Sequence, residues 1–135
     1  MLSNRKQVYI VDDDESVCRA LGLLLDTFEF EVRTFASGFD FLNSALTSAP
    51  GCLVLDVHMA GMNGFELQQQ LNTNGFRLPI IFISADKTLA FSEPYLKAAG
   101  AVGYLQKPFN DQALVDLINS AFEKKGETGV RYGNG

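Results

Sequence analysis

The chain has 135 residues, 47% of them hydrophobic, and a formal net charge of -5 at pH 7. This length predicts one domain that buries roughly 68% of its unfolded surface. No signal peptide precedes Val8 and no apolar run approaches the ~20 residues that span a bilayer, so we expect a cytoplasmic protein without membrane contact. The negative charge and the lack of a Lys/Arg cluster argue against direct nucleic-acid binding by this domain.

Five short segments rich in β-branched and aromatic residues predict five strands. They are Val8–Val11, Val32–Phe35, Cys52–Leu55, Pro79–Ile83 and Ala101–Leu105. Because these segments are almost continuously hydrophobic, they are typical of strands buried on both faces of a parallel sheet.

Apolar residues at helical spacing separate the strands. They predict helices around 17–25, 39–46, 65–71 and 114–122. Strict alternation of strand and helix predicts right-handed crossovers and a doubly wound α/β fold.

One more helix is expected to be short, because Pro94 fits only the first turn of a helix. We place it at Pro94–Ala99, after an unusually long loop over Ala85–Phe91. Gly126–Gly135 contains four glycines and few apolar residues. This composition predicts a single domain over residues 1–125 and a flexible tail or the start of a linker over 126–135.

The two cysteines, Cys18 and Cys52, have apolar neighbours and lack the spacing of a zinc site. We interpret both as reduced thiols in the core.

Polar side chains follow four of the five predicted strands. Asp12 and Asp13 follow the first strand, and Asp56 follows the third. Ser84 follows the fourth strand, and Lys107 lies just beyond the fifth. Because ligands of open parallel sheets bind outside the carboxyl ends of the strands, we expect these side chains to meet at one edge.

The combined chemistry of these groups suits a divalent cation and a phosphoryl group. Each residue alone is compatible with a turn or a helix cap, and Asp14 is expected mainly to cap the first helix. Two carboxylates ~4 Å apart repel by roughly 4 kcal/mol at an effective dielectric of 20, so the Asp12–Asp13 pair suggests a cation such as Mg²⁺. Asp56 is the candidate nucleophile, with the metal between Asp13 and this acceptor.

Four motifs resemble the receiver domain of two-component response regulators. In order along Val8 to Phe122, they are IVDDDES, LVLDVHMAGMNGFEL, IIFISA and GYLQKPF. The resemblance implies a flavodoxin-like fold with strand order 2-1-3-4-5. It also implies a signalling switch, not an enzyme, in which Asp56 accepts a phosphoryl group from a sensor histidine kinase and loses it slowly.

The resemblance assigns a role to each site residue. It implies that Asp12, Asp13, Asp56 and the backbone carbonyl of His58 hold Mg²⁺. The side chain of His58 is a candidate for modulating hydrolysis of the aspartyl phosphate, and so is that of Asp86.

On the phosphate side, Ser84 resembles the hydroxyl that turns toward the aspartyl phosphate. Lys107 resembles the lysine that pairs with the phosphate, and the backbone N–H of Ala85 is expected to bind its oxygens. Tyr104 matches the aromatic residue that moves inward on activation.

Activation is expected to change the face formed by the fourth helix, the fifth strand and the fifth helix, and to permit a homodimer there. Phe91, Tyr95 and Leu96 are candidate contacts on this face, although ordinary packing explains each one equally well.

The chain departs from the family at Met59-Ala60-Gly61, where Met-Pro-Gly is common. Losing the fixed φ of proline is expected to loosen this loop. The KPF segment is similar to receivers that precede a helix-turn-helix DNA-binding domain, which suggests transcription regulation by a following domain.

Two alternatives from other classes stay open. DDDES also resembles the first motif of haloacid-dehalogenase-type phosphatases, with Asp12 as the nucleophile, but that mechanism leaves Asp56 without a role. The other alternative is a receiver-like interaction module that is never phosphorylated.

Overall fold

A computed structural model of the protein describes residues 5–44, 50–98 and 100–130. Its five strands are parallel and form one sheet in the order β2-β1-β3-β4-β5. The strands are β1 (Gln7–Val11), β2 (Glu31–Phe35), β3 (Cys52–Asp56), β4 (Ile80–Ser84) and β5 (Ala101–Gln106). Every strand prediction is confirmed to within one residue at each end, and so is the strand order.

The helices pack on both faces of this sheet. They are α1 (Glu15–Thr27), α2 (Gly38–Asn43), α3 (Gly64–Thr73), α4 (Glu93–Ala98) and α5 (Asp111–Val130). The ends predicted for α2 and α4, at residues 46 and 99, lie outside the described residues.

The segment predicted as a long loop over Ala85–Phe91 is different in the structure. Lys87–Ser92 forms a 3-10 helix that leads directly into α4. Asp86 begins this helix, because its carboxylate accepts hydrogen bonds from the N–H and the hydroxyl of Thr88 at 2.9 and 2.6 Å. The sequence prediction overlooked this Asp-x-Thr start signal.

The predicted tail also differs over its first part. α5 continues through Gly126 and Gly129 to Val130, and each glycine lowers helix stability by only about 1 kcal/mol relative to alanine. Residues 131–135 lie outside the described residues. The boundary of the domain at residue 125 stays a prediction.

Two hydrophobic clusters, one on each face of the sheet, form the core. Val8 and Ile10 of β1 belong to the cluster under α1 and α5, whereas Tyr9 and Val11 belong to the cluster under α2 and α3. This alternation follows from the two-residue period of a strand, and burial on both faces explains why the strand sequences are continuously apolar.

Both cysteines are free and buried, as predicted. Burial raises the pKa of Cys52 to about 12, so its thiol stays protonated and unreactive at neutral pH. Within the described part of the chain, no helix is both long and apolar enough to cross a membrane.

Candidate functional site

The carboxyl end of β3 holds Asp56 in a fixed backbone. The N–H of Val57 donates to the carbonyl of Ile83 at 3.0 Å, and the N–H of Gly64 donates to the carbonyl of Val57 at 2.8 Å. A Cβ at Gly64 would lie only 2.6 Å from the carbonyl oxygen of Asp56, so only glycine allows the start of α3 to approach this closely. Asp56 itself is 6% exposed.

The turn after β1 supplies two of its three aspartates to the same place. Asp12 is buried, and its Oδ1 accepts the N–H of Asp14 at 2.9 Å. Asp13 is exposed, and its Oδ2 accepts the N–H of Ala60 at 3.2 Å. Asp14 is the N-cap of α1 and accepts the N–H of Ser16 at 2.9 Å, which confirms its predicted role.

Three carboxylates and one ammonium converge at this edge of the sheet. One oxygen each from Asp12, Asp13 and Asp56 lies within 4.8 Å of the others. The Nζ of Lys107 lies 2.9 Å from Oδ2 of Asp12 and 3.6 Å from Oδ1 of Asp56. Asp12 and Asp13 follow β1, Asp56 ends β3, and Lys107 follows β5. They meet because the carboxyl ends of parallel strands lie at the same edge of the sheet.

This donor set fits a hard divalent cation. Mg²⁺ prefers oxygen ligands and is usually bound by one or two carboxylates together with water and phosphate oxygens. Three carboxylates facing one lysine leave negative charge that a cation neutralises. The cluster of Asp12, Asp13 and Asp56 is thus chemically suited to Mg²⁺.

The surroundings of Asp56 and Lys107 shift the pKa of both side chains. Burial raises the pKa of Asp56 to about 6. The charges of Asp12 and Asp13 act in the same direction, whereas the charge and hydrogen bond of Lys107 oppose it. Burial lowers the pKa of Lys107, but hydrogen bonds and charges from Asp12 and Asp56 together raise it above its ordinary value. Lys107 is therefore a stable cation next to a carboxylate that is costly to ionise without a metal.

Ser84 closes the site from the end of β4. It is fully buried, and its backbone carbonyl accepts the N–H of Lys107 at 2.7 Å, which fixes the lysine beside it. Its hydroxyl oxygen accepts the N–H of Asp86 at 3.0 Å. Ala85, the predicted phosphate-binding N–H, lies between them and is exposed.

Asp86 connects several parts of the site. The sequence prediction named its side chain as a candidate for modulating hydrolysis of the aspartyl phosphate but did not foresee these contacts. Its Oδ2 lies 3.0 Å from Nε2 of His58, and its carbonyl accepts the hydroxyl of Tyr104 at 3.0 Å. The hydrogen bonds from Thr88, followed by that from His58, lower the pKa of Asp86, so its carboxylate is ionised at neutral pH. The Asp-x-Thr pattern at the start of the 3-10 helix was the signal in the sequence for the hydrogen bonds from Thr88.

Tyr104 is already turned inward in this structure. Only 7% of the residue is exposed, and its hydroxyl reaches the carbonyl of Asp86. The resemblance had implied this position for the activated state.

Leu96 was named as a candidate partner contact with ordinary packing as the alternative, and the structure shows packing. It is 1% exposed and packs in the core cluster under α2 and α3, because α4 turns this side chain toward the sheet. The side chains of Phe91 and Tyr95, the other two candidates, lie outside the described residues.

A family model of the response regulator receiver domain matches residues 8–119. The chain belongs to the response regulator receiver family. Receiver domains are the phosphorylation-controlled switches of two-component signalling systems and work with a sensor kinase. This membership confirms the resemblance seen in the four motifs and disfavours the phosphatase alternative.

Named relatives support the same family. The receiver is 43% identical over 118 residues to the transcriptional regulatory protein TdiR of Thauera aromatica, which covers 87% of the chain and 52% of TdiR. It is 41% identical over 123 residues to the response regulator protein TodT of Pseudomonas putida, covering 90% of the chain and 54% of TodT. The chain thus spans about half the length of these curated relatives.

A solved structure of the response regulator StyR has a similar fold. It superimposes with a TM-score of 0.80 at 38% sequence identity, covering 96% of the chain and 65% of StyR.

Proposed function

We propose that Asp56 accepts a phosphoryl group from a phosphohistidine of a sensor histidine kinase in a Mg²⁺-dependent reaction. The observation that carries this proposal is the convergence of three carboxylates within 4.8 Å, with Lys107 in contact with two of them. In this step an oxygen of Asp56 forms a bond to phosphorus while the P–N bond to the donor imidazole breaks. The electron pair of the P–N bond goes to the leaving nitrogen, and the imidazole leaves as a neutral ring whose proton sits on its other nitrogen.

The residues of the chain contribute mainly position and charge. Asp12, Asp13, Asp56 and the backbone carbonyl of His58 would hold the ion. Bound Mg²⁺ supplies charge neutralisation for the phosphoryl oxygens. Lys107 provides a second cation that stays protonated, and it is already within 3.6 Å of the acceptor.

The phosphoryl group would then be recognised by groups of the β4 turn. The hydroxyl of Ser84 and the N–H of Ala85 are donors at the end of β4, adjacent to β3 in the sheet. When Ser84 turns toward the phosphate, its hydrogen bond from the N–H of Asp86 weakens. Because Asp86 also holds Tyr104 and begins the 3-10 helix, the turn would transmit phosphorylation to α4 and β5.

The signal would pass to a partner or to a following domain. We propose the α4-β5-α5 surface as the responsive face and as the contact of a phosphorylation-dependent homodimer. TdiR is named a transcriptional regulatory protein, and we propose transcription regulation for the full-length protein on that basis. The cytoplasmic location and the lack of nucleic-acid binding by this domain stay predictions.

Intact mass spectrometry after incubation with acetyl phosphate and Mg²⁺ tests the acceptor. We expect a gain of one phosphoryl group, ~80 Da, that disappears with EDTA and in Asp56→Asn. Asp116→Asn, an exposed aspartate on α5, is the matched control and should gain the same mass.

Two outcomes would contradict the proposal. Absence of any gain in a protein that still binds Mg²⁺ would indicate an interaction module that is never phosphorylated. A gain that survives in Asp56→Asn but disappears in Asp12→Asn would support the phosphatase alternative.

A further inference from the structure

A backbone N–H of the β3–α3 loop reaches the carboxylate cluster from 47 residues away in the chain. The N–H of Ala60 donates to Oδ2 of Asp13 at 3.2 Å. Among the described residues, no other donor or cation contacts the carboxylate of Asp13 within hydrogen-bond or ion-pair distance. Within the described parts of the chain, the Ala60 N–H is thus the one donor in contact with this carboxylate.

The three carboxylates of the cluster are held very unequally. Asp12 and Asp56 are buried, and both are contacted by Lys107. Asp13 is exposed, and Lys107 makes no contact with it at ion-pair distance. Repulsion from the other two carboxylates favours rotation of Asp13 out into water, so its place in the cluster depends on another restraint.

We propose that the backbone N–H of Ala60 is a positioning group that holds Asp13 ready for the cation. This inference rests on the proposed Mg²⁺-dependent function of the same site. A carboxylate offers about four lone-pair sites, so one N–H leaves acceptors free for a metal ion. Because the side chain is ordered before binding, less conformational entropy is lost when the cation arrives.

The residue type at position 60 makes this contact possible. Proline lacks a backbone N–H and could not donate to Asp13. The sequence prediction held that losing proline would loosen the loop, yet alanine adds a hydrogen bond between the β1–α1 and β3–α3 turns. Since the side chain of Ala60 is exposed, substitution there changes the N–H with little effect on packing.

The test compares Mg²⁺ binding by the wild type, Ala60→Pro and Ala60→Val. Valine has three side-chain carbons, as proline does, but keeps the N–H. Isothermal titration with Mg²⁺ alone should give a dissociation constant about two- to fivefold higher for Ala60→Pro. Ala60→Val should match the wild type.

A second readout separates positioning from general damage to the site. The Mg²⁺ concentration that half-saturates phosphorylation by acetyl phosphate should rise in Ala60→Pro, whereas the rate at saturating Mg²⁺ should equal that of the wild type. In an Asp13→Ala background, Ala60→Pro should have no further effect on Mg²⁺ affinity, because the side-chain acceptor of the Ala60 N–H is gone.

Three results would overturn the inference. The first is an unchanged or tighter dissociation constant for Ala60→Pro, and the second is an equal loss in Ala60→Val. The third is a lower saturating rate with an unchanged Mg²⁺ requirement, which would indicate a merely structural role. If the wild type binds Mg²⁺ and is phosphorylated, only this inference fails, whereas a wild type that does neither overturns the proposed function as well.

Discussion

Replacement of Asp56 by asparagine is expected to stabilise the receiver when no divalent cation is present. The side chain is 6% exposed and faces the carboxylate of Asp12, so ionising it in the folded protein is unfavourable. Asparagine has nearly the same shape and carries no charge. The substitution therefore removes electrostatic repulsion with little change in packing.

The expected size of the effect follows from the pKa of Asp56. It is about 6 in the folded protein against 3.8 ordinarily. One pKa unit corresponds to 1.36 kcal/mol, so ionised Asp56 lowers the free energy of unfolding by about 3 kcal/mol above pH 6. With an unfolding entropy of about 2.1 cal/mol/K per residue, Asp56→Asn should raise Tm by roughly 10 °C.

The sign of the pH dependence is fixed by the same shift. Between about pH 4 and pH 6 the folded state holds a proton on Asp56 that the unfolded state has lost. The contribution of this group to stability is therefore fully present below about pH 4, and it is lost as the pH rises through 6. The amount by which the Tm of Asp56→Asn exceeds that of the wild type should be largest at pH 7.5 and should vanish near pH 4.

Thermal unfolding followed by circular dichroism in EDTA provides the assay, at pH 4 and pH 7.5. Asp116→Asn removes the same charge from an exposed position and should shift stability by no more than about 0.5 kcal/mol. Excess Mg²⁺ should stabilise the wild type more than Asp56→Asn, so the difference in Tm between the two proteins should become smaller. If Asp56→Asn melts no higher than Asp116→Asn at pH 7.5, or if its advantage does not depend on pH, the electrostatic reasoning is wrong.

Three further substitutions, with Gly22→Ala as a control, test how the site and the helix beside it are held in place. Lys107→Met leaves two buried carboxylates without their cation and should cost about 3 kcal/mol in EDTA by urea unfolding, partly recovered by Mg²⁺; a loss under 0.5 kcal/mol would contradict this. Gly64→Ala places a Cβ 2.6 Å from the carbonyl oxygen of Asp56 and should cost about 1–3 kcal/mol. Gly22→Ala in α1 is the control, because a Cβ there would lie 4.0 Å from the nearest atom, and it should stabilise the protein by about 0.5–1 kcal/mol. If Gly64→Ala and Gly22→Ala shift the urea midpoint in the same direction, the steric argument is wrong. Asn63→Ala removes the capping box of α3 and should cost about 1 kcal/mol, measured by the same unfolding curves; an unchanged midpoint would show that the cap contributes nothing.

The alternation of strands and helices could be predicted from local pattern alone. The apolar runs at Val8–Val11 and Cys52–Leu55 need no tertiary information, because a strand covered on both faces is apolar at every position. The meeting of Asp12, Asp56 and Lys107 also follows from the sequence. Once all strands are parallel, residues that follow them must share one edge of the sheet.

Other features depend on distances that no local pattern records. Leu96 was named both as a candidate partner contact and as a residue that ordinary packing could explain, and its burial in the core decides for packing. The raised pKa of Asp56 depends on its burial and its separation from the charges around it. Neither quantity is a property of the residue type.

The sequence by itself determined the fold class, the strand order through the family resemblance, and the set of charged groups at the site. Only the tertiary structure decided how each group is held. Ala60 shows the reason most clearly, because every residue except proline has a backbone N–H. The N–H of Ala60 reaches the carboxylate of Asp13 only because folding brings the β3–α3 turn next to the β1–α1 turn, and these two residues are 47 positions apart in the chain.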